Sequence, residues 1–281
     1  MRPDTYKHVV KGFKRGSILK VLLVGAGGNG SRMLTGLATL DHAMRELGIG
    51  GLHVTVFDAD TVSPSNVGRQ TYYESDVGRS KAEVLVSRIN ALYRTNWRAV
   101  SRMLTEEMEL DTYWMVIGCM DTRKARRAIH SLSAKRVVSY GVGHAPFLYW
   151  LDLGNQDRFG QYILGEPQGN SAESWPLRLP TVIDLWPGML DPANDPVDDG
   201  PSCSMAEALE KQDLYVNQLL SSNALNLIWA MIRYGEIEFH GGFVNLRSGK
   251  AQSLELSIKQ WAGMGYKCKR PQGPKARELA V

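Results

Sequence analysis

Three glycines stand in the spacing Gly25-x-Gly27-x-x-Gly30, between a short apolar run and a stretch of helical periodicity. Such a turn lets a phosphate reach backbone N–H groups at a helix N-terminus, where the helix dipole favours an anion. Alone it fits a dinucleotide as well as a triphosphate. Asp58, ending the next predicted strand as Asp58-x-Asp60, can accept ribose hydroxyls in either case. Residues 61–82, TVSPSNVGRQTYYESDVGRSKA, discriminate between the two. They place Asn66, Arg69, Gln70 and Lys81 directly after the acid. Arginine grips phosphate oxygens through two N–H groups and lysine supplies a compact charge, so the cluster suits a chain of phosphates. A nicotinamide cofactor has no use for such ligands there, and the interval from Gly30 to Asp58 is longer than a dinucleotide fingerprint usually has. Singly, Arg69 and Lys81 read as solvated surface cations; with Asp58 and Asp60 they read as a triphosphate pocket. Asp121 follows another apolar run and has two readings. It can cap the next helix, or it can hold Mg2+ at the carboxyl end of a parallel strand.

These residues need a scaffold that brings loop ends together. Lys20 to Val24 reads as a buried parallel strand that halts at Gly25. Met33, Leu34, Leu37, Leu40, Met44 and Leu47 recur at helical spacing until Gly48 to Gly51 stop the helix. Leu52 to Asp58 is a second strand. Ser80 with Glu83 forms a capping box that opens a helix to about Tyr93. Strands are expected at Trp97–Leu104 and Tyr113–Gly118, a helix from an Asp121 cap to about Leu132, and a further strand at Arg136–Tyr140. This order implies a doubly wound, mostly parallel α/β sheet of Rossmann-like type. Phe147–Leu153 and Gln161–Leu164 alternate like antiparallel strands, and Ile237–Leu256 reads as a hairpin turning near Arg247–Lys250, so an antiparallel C-terminal extension is expected. Between them, residues 166–203 hold Pro, Gly, Asp and Ser with little periodicity, a long crossover loop. Ser204 with Glu207 opens a helix, and a longer one covers about Tyr215–Tyr234. Residues 1–257 are read as one domain and 258–281 as a loose basic tail.

Composition limits the function classes. At 281 residues, 43% hydrophobic and 22% charged, the chain can bury the core of a large soluble domain. No apolar run is long enough to span a bilayer and the N-terminus lacks a secretory apolar core, so a cytoplasmic location without membrane contact is expected. A net charge of +4 is too mild to imply nucleic acid. Asp184, Asp191, Asp195, Asp198 and Asp199 lie in a stretch without Lys or Arg, whereas the tail carries Lys267, Lys269, Arg270, Lys275 and Arg277; both read first as solvated segments. Cys119, Cys203 and Cys268 are too few and too scattered for a four-cysteine zinc site, and no structural zinc is expected.

The glycine turn, Asp58-x-Asp60, the S-N-x-x-R-Q wording, Lys81 and the Cys119-Met-Asp121-Thr122 segment together resemble the ThiF/MoeB/HesA family of ubiquitin-activating-enzyme-like adenylyltransferases. The resemblance covers about residues 18–145 well and the rest loosely. It implies that the C-terminal carboxylate of a small ubiquitin-like or sulfur-carrier protein attacks the α-phosphate of ATP, giving an acyl-adenylate and pyrophosphate. Gly25, Gly27 and Gly30 would seat the nucleotide, with Asp58 on the ribose. Asp60 and Gln70 would also touch the nucleotide, and Asn66, Arg69 and Lys81 would stabilise phosphate charge. Asp121 would hold Mg2+, Arg126 would be structural, and the protein would be a homodimer. The family places transfer cysteines in the crossover region, which makes Cys203 the candidate nucleophile; a buried small side chain is an equal reading. Tyr140 and His144 could line a channel for the carrier tail or be ordinary loop residues. Neither Arg2 nor Arg15 sits in a convincing copy of the arginine that family dimers insert into the partner's site. Within the family the zinc-free form resembles the ThiF-related members of bacterial PRTRC gene cassettes. Two alternatives stay open: a nucleotide-binding scaffold of the same fold that has lost transfer, and an NAD-dependent oxidoreductase.

Overall fold

Eight strands form one sheet in a computed structural model of the chain, which describes residues 6–135, 137–139, 142–167, 178–191, 193 and 212–266. In chain order they are β1 (Ser17–Val24), β2 (Gly50–Phe57), β3 (Arg98–Val100), β4 (Tyr113–Gly118), β5 (Phe147–Asn155), β6 (Phe159–Gly165), β7 (Phe239–Asn245) and β8 (Lys250–Glu255). Their order across the sheet is β8-β7-β6-β5-β4-β1-β2-β3. The run from β5 to β3 is parallel, and β5-β6-β7-β8 continue it as antiparallel neighbours. The expected doubly wound sheet with an antiparallel extension is present.

The parallel strands are apolar because helices and loops cover both faces. All six residues of β4 are buried, as are Val21, Leu22, Leu23 and Val24 of β1. Helix α1 (Gly28–Glu46) buries Met33, Leu34, Leu37 and Met44 and packs on α5 (Val216–Tyr234). At its C-terminal end the buried carboxylate of Asp41 accepts the Leu52 N–H at 2.6 Å and the Arg45 Nε–H at 2.8 Å. That pair of bonds fixes how the glycine turn after α1 enters β2. Helix α2 (Lys81–Tyr93) starts at Ser80, whose Oγ accepts the Glu83 N–H, the expected cap. Helix α3 (Arg123–Ala134) follows β4.

Five expectations need correction. The strand expected at 136–140 does not join the main sheet: Val137–Ser139 pairs antiparallel with Val142–His144 in a separate hairpin. The parallel partner of β4 is β5, whose alternation by itself implies an antiparallel strand. Its residues Phe147, Tyr149, Trp150, Leu151 and Leu153 point to both faces and are all buried, the property of an interior strand. The cap of α3 is Thr122, whose Oγ1 accepts the Ala125 N–H at 3.3 Å, and Asp121 is left outside the helix. The stretch 166–203 is not wholly irregular: α4 (Val182–Leu185) is capped by Thr181, and Asp184 pairs with Arg178 at 2.8 Å. Lastly, regular structure continues past 257. Helix α6 (Ile258–Gly263) buries Trp261 completely, so the basic tail does not begin at 258. The Ser204–Glu207 box and residues 267–281 lie outside the described residues.

Trp261 also fixes a buried histidine. Its indole N–H can only donate, and it donates to His240 Nε2 at 2.8 Å. The His240 proton therefore sits on Nδ1, which donates to the Leu164 carbonyl at 2.6 Å. Burial lowers the His240 pKa from 6.5 to about 4. Between those two values the unfolded chain binds more protons than the folded one, so stability falls as pH falls from 6.5 towards 4 and is unaffected by this group above 6.5. Urea unfolding at pH 5 should give a stability about 2 kcal/mol below that at pH 7 from this group. His240→Gln should flatten the slope over that window while lowering stability at pH 7.

Candidate functional site

The carboxyl ends of β1, β2, β4 and β5 open into one cleft where strand order reverses, the usual ligand position in such sheets. Its inner chamber holds about 280 Å3 and is lined by Gly25, Gly27, Gly28, Asp58, Asp60, Arg69, Gln70, Lys81 and Asp121. Phe57, Ala59, Met103 and Leu104 supply an apolar wall. An adjoining chamber of about 800 Å3 shares Arg69, Met120, Asp121, Asn155 and Gln212 with the first. Arg126, Phe159, Trp186 and Met189 line its far side.

The glycine turn divides its work. Gly25 has φ +92°, and a Cβ there would lie 2.6 Å from the Cys119 carbonyl oxygen. At Gly30 a Cβ would lie 1.9 Å from the Gly25 carbonyl oxygen, so this glycine serves the packing of α1 on the turn and does not line the cleft. A Cβ on Gly27 meets nothing within 4 Å; its backbone faces open space in the cleft. Asp58 holds this turn against β2: its Oδ2 accepts the Ala26 N–H at 2.5 Å and its Oδ1 the Asp60 N–H at 2.8 Å. Burial raises the Asp58 pKa, and those two N–H groups oppose the shift. Each carboxylate oxygen keeps a lone pair for a ribose hydroxyl.

The loop 61–80 is folded by polar bonds that the sequence reading did not use. Tyr72 donates to the Ala26 carbonyl at 2.7 Å, and Arg88 spans the Thr71 carbonyl and the Asp76 carboxylate. Arg32 on α1 donates to the Arg69 carbonyl at 3.2 Å. Asn66 departs from expectation: its Oδ1 accepts the Ser63 N–H at 3.0 Å, closing a short 3-10 turn, and it does not line the cleft. Lys81 is buried and pairs at 2.9 Å with Asp60, whose side chain is largely exposed. Arg69 donates through one Nη to Gln212 at 3.0 Å, and its Nε is buried without a partner. Burial lowers the Arg69 pKa, with Asp121 acting against it.

Asp121, relieved of capping by Thr122, makes no hydrogen bond or ion pair among the described residues and faces both chambers. It keeps solvent access at the cleft mouth yet is walled by protein, and this partial desolvation raises its pKa against the pull of Arg126, Lys81 and Arg69. Among the described residues no three His, Cys, Asp or Glu side chains converge on a protein-only metal cage. A single open carboxylate beside a phosphate site fits Mg2+, which takes one or two carboxylates and completes its shell with phosphate oxygens and water.

Asn29, Asn155, Gln212 and Asn217 also line the inner chamber. Asn29 donates to Asn155 at 2.7 Å, leaving Asn29 Oδ1 and Asn155 Nδ2 buried and unpaired, as is Gln70 Oε1. Asn29 belongs to the glycine turn, whereas no local motif marks Asn155, Gln212 and Asn217; the long return of the chain delivers them. Cys203, the candidate thiol, lies outside the described residues, as do Cys268 and Tyr140. Cys119 is buried, and burial pushes its thiol pKa well up, away from thiolate. Arg126 donates through Nε to both oxygens of the buried Asp152, at 3.2 and 3.1 Å.

Comparison with known proteins agrees with this geometry. The ThiF family profile matches residues 9–260, and the chain belongs to that family. The NEDD8-activating enzyme E1 catalytic subunit of Dictyostelium discoideum is 34% identical over 123 residues, 42% of this chain. That match spans only 26% of the relative's own length. PaaA shares the fold with TM-score 0.56 and 15% identity, over 85% of this chain and 64% of that one. E. coli MccB, solved with ATP, does so with TM-score 0.53 and 12% identity over the same shares.

Two glycine variants separate packing from ligand access. Gly30→Ala should unfold or severely destabilise the protein, because the new methyl meets backbone. Gly27→Ala should cost about 1 kcal/mol or less, since the added carbon meets no atom. Thermal unfolding and ATP titration together check the pair: Gly27→Ala should keep its melting temperature and lose nucleotide affinity.

Proposed function

We propose that this ThiF-family chain uses ATP to adenylate the C-terminal carboxylate of a small ubiquitin-like or sulfur-carrier protein. The observation that carries the reading is the junction of the two chambers. Arg69 and Asp121 stand in the shared wall, with Lys81, Asp58 and the glycine turn on the inner side only. The inner chamber suits a nucleotide, with adenine on Phe57, Met103 and Leu104, ribose on Asp58, and phosphates over the Gly27 backbone and the α1 N-terminus. The outer chamber suits an incoming peptide tail. The reacting α-phosphate would then lie at the junction.

In that arrangement a carboxylate oxygen of the carrier forms a bond to the α-phosphorus as the α–β bridging P–O bond breaks. The electron pair leaves with pyrophosphate. Arg69 and Lys81 offset the negative charge that builds on the phosphates, a preorganised electrostatic effect. Asp121 would hold Mg2+, which when bound offsets phosphate charge. The likeness to NEDD8-activating catalytic subunits supports a ubiquitin-like carrier, and the fold shared with MccB is compatible with ATP. The reading includes a homodimer acting in the cytoplasm, and it leaves Cys203 as the candidate acceptor thiol. No described helix is long and apolar enough to cross a membrane. An NAD-dependent oxidoreductase would leave Arg69 and Lys81 without work.

Calorimetric titration with ATP and, separately, NAD tests this without knowledge of the carrier. Wild type should bind ATP with Mg2+ and not NAD. Asp121→Ala should weaken ATP about tenfold or more when Mg2+ is present, a loss of at least ~1.4 kcal/mol. With the metal chelated the same variant should lose nothing, because removing an anion near phosphates does not weaken them. NAD binding, or no nucleotide binding, would overturn the proposal.

A further inference from the structure

We infer that Gln212 is a positioning residue for Arg69, holding the guanidinium on the nucleotide's phosphates without neutralising it. The inference rests on the nucleotide reading above and assigns a role to a residue outside the motif. Gln212 Oε1 accepts from Arg69 Nη1 at 3.0 Å and from Asn217 Nδ2 at 3.0 Å. A guanidinium can only donate, so the amide oxygen must face it, and the second donor locks that orientation. Asn217 is itself 2% exposed and lies against the glycine turn, where a Cβ on Gly28 would come within 2.5 Å of its Nδ2. The chain of contacts therefore runs from the phosphate turn through Asn217 and Gln212 to Arg69.

The chemistry of the acceptor is the point. Arg69 Nε is buried with no partner, and apart from Gln212 no side chain among the described residues accepts from this guanidinium. A carboxylate in the place of Gln212 would make the same hydrogen bond but would cancel the charge that should meet phosphate. An amide fixes direction and leaves the full positive charge available. Gln212 lines both chambers, so it stands where nucleotide and tail would meet. Arg69 and Gln212 lie 143 residues apart, and the tertiary fold brings them together.

The test compares ATP and adenosine binding by calorimetry, with Mg2+, in wild type, Gln212→Glu and Gln212→Ala. Adenosine lacks the phosphates that Arg69 would hold. Gln212→Glu should weaken ATP at least tenfold and leave adenosine within twofold. Gln212→Ala should weaken ATP by a smaller factor, because the charge survives and only its direction is lost. Melting temperatures of the three proteins should agree within a few degrees. Equal losses for ATP and adenosine would assign Gln212 a merely structural role and overturn the inference, as would ATP affinity unchanged in Gln212→Glu. Wild type that binds neither would instead overturn the reading on which the inference rests.

Discussion

The site depends on the hydrogen bond from the Ala26 N–H to the Asp58 carboxylate. A left-handed glycine turn at the end of β1 and an acidic turn at the end of β2 are each locally flexible, and their relative placement decides whether a nucleotide finds both phosphate and ribose ligands. Asp58 couples them at 2.5 Å, and Tyr72 braces the same turn from the other side through the Ala26 carbonyl. The bonds are mutually consistent: one peptide unit is held by its N–H and the next by its C=O. A half-buried carboxylate is tolerated because two backbone N–H groups compensate part of its desolvation. The parallel strands beneath add the stiffness that keeps these bonds in place.

From that anchor outward the cleft leaves polar atoms unsatisfied. Arg69 Nε, Gln70 Oε1 and Asn29 Oδ1 are buried without partners among the described residues, although much of the loop 61–80 is closely hydrogen-bonded. A buried unpaired polar group costs about 1–3 kcal/mol, so a fold that keeps several around one cavity holds them ready for a ligand. The charges follow the same logic. Lys81 is matched by Asp60, an exposed partner that water and phosphate can displace, whereas the hydrogen-bond acceptor of the Arg69 side chain among the described residues is the neutral Gln212. Arg126, by contrast, is committed to the buried Asp152 and serves the wall of the outer chamber.

Much of this could be read from the chain, for local reasons. The glycine spacing, the strand ending in Asp58 and the Ser80 cap are short-range patterns with direct physical causes, and each stands where expected, although the Glu83 carboxylate accepts from Ser101 and does not close the box. Errors arose where two local solutions were nearly equal. Asp121 and Thr122 are both good caps, and only the geometry of Ala125 N–H decides between them. Val137–Ser139 and β5 are both β-rich, and membership of the sheet is settled by burial on two faces, which Trp150 and Leu151 achieve. Asn66 matched a nucleotide-binding wording but is consumed by its own turn. The amides Asn155, Gln212 and Asn217 were not legible, because only the antiparallel extension and α5 carry them to the glycine turn. Trp261 was assigned to a tail because its partner His240 lies two strands earlier.

The central claim is that reaction occurs at the α-phosphate with a protein carboxylate as nucleophile. The most direct measurement is exchange of labelled pyrophosphate into ATP, with ubiquitin-fold proteins ending in a free glycine carboxylate. Each is compared with the same protein lacking its last residue. The account predicts carrier-dependent exchange that disappears with that residue and with Arg69→Ala, with AMP and pyrophosphate as the cleavage products. ATP cleaved to ADP and phosphate, with no exchange for any carrier, would contradict it.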